Sequence, residues 1–160
     1  MHISKVPKEL RTPEICLKAV RRDGTDLFWV PEELKTPEVC LAAVQDRGDA
    51  LLYIRKSLMT LEVCLAAVKD CSRSLSYVPL KLRTYEICVA AIQGWGDAIG
   101  DTPLAICSSE VYLFAIQNGA GLWRIPLECR TPEICLEAVS QEPRAIEYSP
   151  YSILELLALA

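Results

Sequence analysis

The chain has 160 residues, of which 51% are hydrophobic and 24% charged, and its formal net charge at pH 7 is -4. This composition is typical of a globular protein with a core of its own, and the negative charge disfavours nucleic acid or an anionic membrane as the default partner. The apolar runs are far shorter than the roughly 20 residues that span a membrane, and residues 1–9 lack the apolar stretch of a secretory signal. We therefore expect a cytoplasmic protein whose eight cysteines are reduced.

One sequence unit recurs about every 24 residues, which predicts a single repeat array over residues 1–160. A threonine or serine stands four residues before the centre of each unit, and a glutamate stands two residues before it. A proline closes every unit except one, in which Arg55 takes its place. The six units are centred on Cys16, Cys40, Cys64, Cys88, Tyr112 and Cys135.

Each unit is expected to begin with an α-helix of about 11 residues. In the second unit Thr36 caps the free amides, Pro37 suits the first helical position, and Glu38 faces the positive end of the helix dipole. A glycine eight residues after the cysteine at the centre of the unit is expected to end the helix in a left-handed cap. The glycines at this position are Gly24, Gly48 and Gly96.

A second apolar patch follows the first helix and predicts a second, shorter helix. Examples are residues 27–30 and 51–54, and a helical turn such as 31–34 then returns the chain to the next unit. Two short helices per unit cannot bury their apolar faces alone, so successive units must stack. We expect an all-α fold, an α-solenoid of about six 24-residue two-helix repeats, and favour the right-handed form.

The segment over residues 30–44, VPEELKTPEVCLAAV, carries a resemblance to a known family. It is similar to the repeat of an uncharacterised helical tandem-repeat family, a domain of unknown function. The resemblance implies a helical repeat architecture without an enzymatic assignment or catalytic residues. The copies between residues 94 and 126 depart most from this unit.

The cysteine column is the first candidate for chemistry. Equivalent atoms of stacked helices lie about 10 Å apart, too far for a shared zinc ion or a disulfide. We therefore expect the column cysteines, and Cys129, to be buried as small hydrophobic residues without a metal or cofactor. Cys71 and Cys107 align with polar or aromatic residues and are expected to be exposed. A cysteine-dependent redox or metal-binding protein remains the alternative function.

Catalysis has little support in the residue pattern. His2 is the one histidine and lies at a terminus expected to fray, so it is a poor base for a nucleophile. The repeated glutamates are explained by their place in the first helical turn. We therefore expect a protein that is not an enzyme.

Aromatic residues are the better candidates for function. One column of the repeat contains Trp29, Tyr53, Tyr77 and Tyr148, which either line a binding surface or belong to the core between repeats. Trp95 occupies a loop position and is expected to be an exposed anchor. The predicted partner-binding residues are Trp95, Trp29, Tyr53, Tyr77 and Tyr148.

The leading hypothesis is a non-catalytic scaffold that binds a protein or peptide. A third possibility is an accessory segment of a larger system, such as an effector or a toxin-neutralising protein. Charge is also uneven: residues 1–22 carry an excess of basic residues, and residues 132–160 an excess of glutamates. This polarity allows a monomer or weak head-to-tail self-association.

Overall fold

The computed structural model describes residues 2–158, and within that range every regular element is helical. The chain divides into two compact units, Met1–Ala90 and Ala91–Ala160. The described α-helices are α1 Pro13–Arg22, α2 Pro37–Asp46, α3 Leu61–Asp70, α4 Tyr85–Gly94, α5 Ser109–Gln117, α6 Pro132–Gln141 and α7 Ile153–Leu157. The all-α repeat fold is confirmed, whereas the right-handed sense and the single array over 1–160 stay predictions.

A second, shorter helix follows each of α1–α6, as the sequence predicted, and it is a 3₁₀ helix. The longer 3₁₀ helices are Gly24–Trp29, Gly48–Tyr53, Ser72–Tyr77, Gly96–Asp101 and Pro143–Tyr148. The shorter ones are Ile3–Lys5, Lys8–Leu10, Glu32–Leu34, Lys56–Leu58, Leu80–Leu82, Leu104–Ile106, Leu122–Arg124 and Leu127–Cys129. A repeat is therefore one α-helix followed by two 3₁₀ helices, and the turn expected over residues 31–34 is confirmed.

The α-helices begin where their capping residues predict. The Thr36 hydroxyl accepts a hydrogen bond from the Val39 amide at 3.3 Å, with Pro37 as the first helical residue. The Ser108 hydroxyl accepts one from the Val111 amide at 3.3 Å in the same way. Such caps satisfy amides that have no partner inside the helix.

The prediction of left-handed glycine caps is wrong. Gly24, Gly48 and Gly96 each begin a longer 3₁₀ helix, and among the described residues only Gly119 has a positive φ, of 84°. Glycine is required for another reason: a Cβ atom on Gly48 would lie 2.2 Å from the carbonyl oxygen of Ala67. The repeat glycines thus allow the backbone of one 24-residue repeat to approach the α-helix of the next repeat.

Close contacts join neighbouring repeats within the first compact unit. There α1 packs against α2, and α2 packs against α3. The Gly24 amide donates to Asp46 Oδ2 at 2.7 Å, and the Gly48 amide donates to Asp70 Oδ2 at the same distance. The Ser74 hydroxyl donates to the Gly48 carbonyl at 2.9 Å, which closes a second link between the same units. Hydrogen bonds to a charged carboxylate are stronger than hydrogen bonds between neutral groups, and these bonds fix the spacing of adjacent repeats.

The second half repeats this arrangement with a different partner. The Gly96 amide donates to the Asn118 carbonyl at 3.1 Å, and a Cβ on Gly96 would lie 2.5 Å from the Ala115 carbonyl. In the second compact unit, α5 packs against α6, and α6 packs against α7. Close approach again explains the glycine.

Candidate functional site

The aromatic column lies at the last residue of the longer 3₁₀ helices. In a 3₁₀ helix, residues three apart face the same side. Leu27 and Val30 are therefore both buried, and Trp29 between them is 46% exposed. The column thus presents its rings to solvent instead of completing the core.

The four column residues differ in exposure and in the unit that holds them. Tyr77 is 43% exposed and Tyr148 is 46% exposed, whereas Tyr53 is half-buried. Trp29, Tyr53 and Tyr77 belong to the first unit, and Tyr148 belongs to the second. Their part in binding a partner stays a prediction.

Phe28 joins two column residues in one aromatic cluster. Its ring centroid lies 4.8 Å from that of Trp29, edge to face, and 5.2 Å from that of Tyr53. Phe28 is 55% exposed. Phe28 was not among the predicted binding residues, although its place beside Trp29 in the apolar patch was a signal.

A basic side chain from the preceding repeat donates a hydrogen bond to the backbone carbonyl of three of the aromatic column residues. Arg11 Nη1 donates to the Trp29 carbonyl at 2.6 Å, and Lys35 Nζ donates to the Tyr53 carbonyl at 2.9 Å. Arg130 makes the same bond to the Tyr148 carbonyl. These backbone clamps, each across 18 residues, fix the position from which the aromatic side chain leaves the surface.

Two grooves open beside the column in the first unit. The Trp29 groove, of about 550 Å³, is lined by Lys8, Arg11, Phe28, Trp29, Val30, Pro31, Glu32, Glu33 and Lys35. The Tyr77 groove, of about 510 Å³, is lined by Leu51, Leu52, Ile54, Arg55, Lys56, Met59, Ser76, Tyr77, Val78, Pro79, Leu80 and Arg83. Both are within the range of pockets that hold small ligands or short segments.

Trp95 differs from its predicted environment. Its side chain is half-buried instead of exposed, and its backbone caps the 3₁₀ helix Gly96–Asp101. Trp123, also in the second unit, is 50% exposed, and the Arg124 guanidinium lies 4.2 Å from the centre of its ring. Trp123 was missed because only the neighbouring column was recognised as aromatic.

The column cysteines are buried as predicted. Cys16, Cys40, Cys64, Cys88 and Cys135 have no exposed surface. Burial raises the pKa of Cys40 and Cys64 to about 11, so both are protonated thiols at neutral pH. Because a thiolate is the nucleophile and the metal ligand, this environment opposes both roles.

The remaining cysteines correct the expectation from the sequence. Cys71 and Cys107, predicted to be exposed, are half-buried, and so is Cys129, which was expected in the core. Lys35, at the same repeat position as Cys107, is also less exposed than the sequence predicted, at 6%. Tyr112 is buried beside Cys107 and Cys129, and burial raises the pKa of Tyr112.

His2 is held instead of frayed. Its Nδ1 contacts the fully buried carboxylate of Asp26, and its Nε2 lies 3.5 Å from the Asp23 carboxylate. Asp26 also accepts a hydrogen bond from the Ile3 amide at 3.3 Å. Both imidazole nitrogens therefore face carboxylates, and neither is directed at a nucleophile. In the range 2–158, no group of three or more His, Cys, Asp or Glu side chains has an arrangement that could hold a metal ion.

Part of the chain matches a known protein family. Residues 12–59 match DUF4116, a domain of unknown function. The predicted resemblance to an uncharacterised family is thereby confirmed over α1, α2 and the segments that follow them. Comparisons with curated proteins and with solved structures found no match. None of the described helices is long and apolar enough to cross a membrane.

Proposed function

We propose that this chain is a non-catalytic helical-repeat scaffold that binds a protein or peptide along the aromatic column of its first unit. The observation that carries the proposal is the exposure of Trp29 and Tyr77, each on the wall of a groove. Packing between repeats does not require these rings, because Leu27 and Leu75 already fill the core positions beside them. Large amphipathic rings at a concave surface are typical of interface hot spots.

The surface is also pre-organised for binding. Arg11 and Lys35 hold the backbone of Trp29 and Tyr53, and Phe28 packs against both rings. Side chains that are ordered before binding lose little conformational entropy when a partner docks. The grooves can therefore convert contact area into affinity.

A non-catalytic role is supported by the chemistry of the reactive residue types. The column thiols are buried and protonated, and the single histidine has a carboxylate at each nitrogen. Redox or metal-binding function is therefore less well supported than binding. We place the scaffold in the cytoplasm, with a protein or peptide as partner instead of nucleic acid or membrane, as a monomer or a weak head-to-tail assembly.

Affinity capture with a matched pair of variants tests this function. The wild-type chain and the variants Tyr77→Ala and Tyr85→Ala are used to capture partners from a lysate, which mass spectrometry identifies. Tyr85 is an exposed tyrosine of the same unit that lies outside the column. We expect Tyr77→Ala to lose about 2 kcal/mol or more of binding free energy, as hot-spot residues do, and Tyr85→Ala to bind like the wild type. Equal capture by Tyr77→Ala and the wild type would refute the role of the column.

A further inference from the structure

The linker over residues 55–59 departs from the repeat at two positions that face one groove. Arg55 stands where the other units have proline, and Met59 stands where four other units have arginine or lysine. Both residues line the Tyr77 groove. Stacking of the repeats demands neither change, because the other units stack without them.

Met59 removes a backbone clamp. Arg11 and Lys35 donate to the carbonyl of the next column residue, but a methionine side chain has no N–H group to donate. The Tyr77 carbonyl therefore receives no clamp from the position of Met59.

The Tyr77 groove is basic. Arg55, Lys56 and Arg83 line it, and none of its lining residues is acidic. Arg83 forms part of the wall, because its Nε donates to the Val78 carbonyl at 2.9 Å. Within the described residues, neither Arg55 nor Lys56 has a carboxylate partner for its side chain.

The Trp29 groove provides a contrast within the same unit. Glu32 and Glu33 line it together with its basic residues, and Lys35 is paired with Glu32. Its positive charge is therefore largely compensated inside the protein. Of these two grooves, the Tyr77 groove has the larger excess of positive charge, with three basic lining residues and no acidic one.

Apolar surface accompanies this charge. Leu52 is 55% exposed, Leu80 is 71% exposed, and Tyr77 is 43% exposed, all on the same groove. An apolar side chain placed there would remove leucine surface from water, and carboxylates on either side of it would meet Arg55 and Lys56.

We propose that the Tyr77 groove binds an extended acidic peptide segment, with an apolar side chain against Leu52 and Leu80 and carboxylates at Arg55 and Lys56. This inference rests on the proposed function and specifies the partner's chemistry. A peptide fits better than a nucleic acid, because Tyr77 is the groove's single aromatic ring, whereas single strands bind through successive stacked bases.

Selection from a random peptide library displayed on phage tests the inference on the full chain. Selected sequences are synthesised with a fluorescent label, and their affinity is measured by fluorescence anisotropy at low and high salt. We expect selected peptides to combine Asp or Glu with Leu or Phe, and their binding to weaken as salt rises. An oligothymidylate probe is measured in parallel, and tighter binding of that probe than of the peptides would overturn the inference.

Two double variants show whether the charge of the groove is responsible. Arg55→Gln with Lys56→Gln is expected to weaken peptide binding about tenfold or more, since it removes two charge-assisted contacts. The control, Lys5→Gln with Lys69→Gln, removes the same charge from exposed positions outside the groove and is expected to bind like the wild type. Both double variants are first shown to unfold at the wild-type temperature.

The outcomes separate the two proposals. Peptides that bind without acidic preference, lose affinity in Tyr77→Ala and keep it in the Arg55 and Lys56 variant would overturn this inference and leave the proposed function standing. Peptides that bind equally well to Tyr77→Ala, or the selection of no peptide at all, would count against both proposals.

Discussion

Gly48→Ala should be one of the most destabilising small substitutions in this protein. The added Cβ would lie 2.2 Å from the Ala67 carbonyl oxygen and 2.8 Å from the Cys71 nitrogen, whereas ordinary contacts are 3.4 Å or longer. Both atoms belong to the backbone, so the two repeats must separate by about 1 Å at this point. Overpacking of this kind costs roughly 1–3 kcal/mol.

Separation of the repeats would also disturb a hydrogen bond. The Gly48 amide donates to Asp70 Oδ2 at 2.7 Å, and a bond to a charged group contributes about 1.5–3 kcal/mol. We therefore expect Gly48→Ala to lower the free energy of unfolding by about 3–5 kcal/mol, measured by urea denaturation followed by circular dichroism. Asp70→Ala gives the part due to the hydrogen bond alone.

Two controls make this test specific to close approach. Ser72 occupies the same column in the next repeat and already carries a Cβ, so Ser72→Ala loses only the 3.4 Å hydrogen bond from its hydroxyl to the Val68 carbonyl and should cost about 1 kcal/mol or less. Asparagine tolerates the left-handed conformation better than alanine does, so a left-handed cap would make Gly48→Asn the milder change. If close approach is the reason for the glycine, Gly48→Asn should destabilise the fold more than Gly48→Ala, because asparagine is the larger residue. A milder effect of asparagine, or a loss below about 0.5 kcal/mol for Gly48→Ala, would refute the reasoning.

Three further predictions follow from the cysteines and the groove. Cys40→Ser should destabilise the fold by roughly 1–3 kcal/mol and Cys40→Ala by less, because a buried hydroxyl needs a partner; urea denaturation of both variants decides this. The pKa of Cys40 and Cys64 is raised to about 11 in the folded chain, so their contribution to stability should be intact below about pH 9 and lost as the pH rises toward 11. Stability measured across that range should fall less steeply when both are alanine, and an unchanged slope would contradict their protonated state. Met59→Arg should supply the missing clamp to Tyr77 and raise stability by about 1 kcal/mol in thermal denaturation; no gain in stability would show that the clamp does not form.

The α-helices were predictable because their signals are local. The hydroxyl of Thr36 caps an amide three residues away, and Pro37 needs no donor at the first helical position, so the start of α2 follows from the sequence alone. The second, shorter helix was predicted, but its 3₁₀ type was not, since an apolar patch of four residues suits either helix type. The role of Gly48 was missed because it depends on the backbone of Ala67 in the next repeat.

The candidate site was also predictable only where its signals are local in the sequence. Spacing alone places Trp29 and Tyr77 in one column, and the structure exposes both. The clamp from Arg11 to the Trp29 carbonyl joins a side chain to a backbone atom 18 residues away, and no pairing of side-chain types in the sequence reveals such a bond. Arg55 was visible as the one break in the proline column, but its relation to the groove depends on where the fold brings Tyr77.

A departure from the repeat indicates function only when the fold does not compensate for it. Tyr112 replaces a column cysteine, yet it is 4% exposed, and it lies beside Cys107 and Cys129, which also depart from their columns. Those three changes accommodate one another, so packing explains them. Arg55 is exposed and, in the part of the chain described, has no carboxylate partner to offset its charge. Packing does not account for this change, which is why the proposed acidic peptide is placed against Arg55.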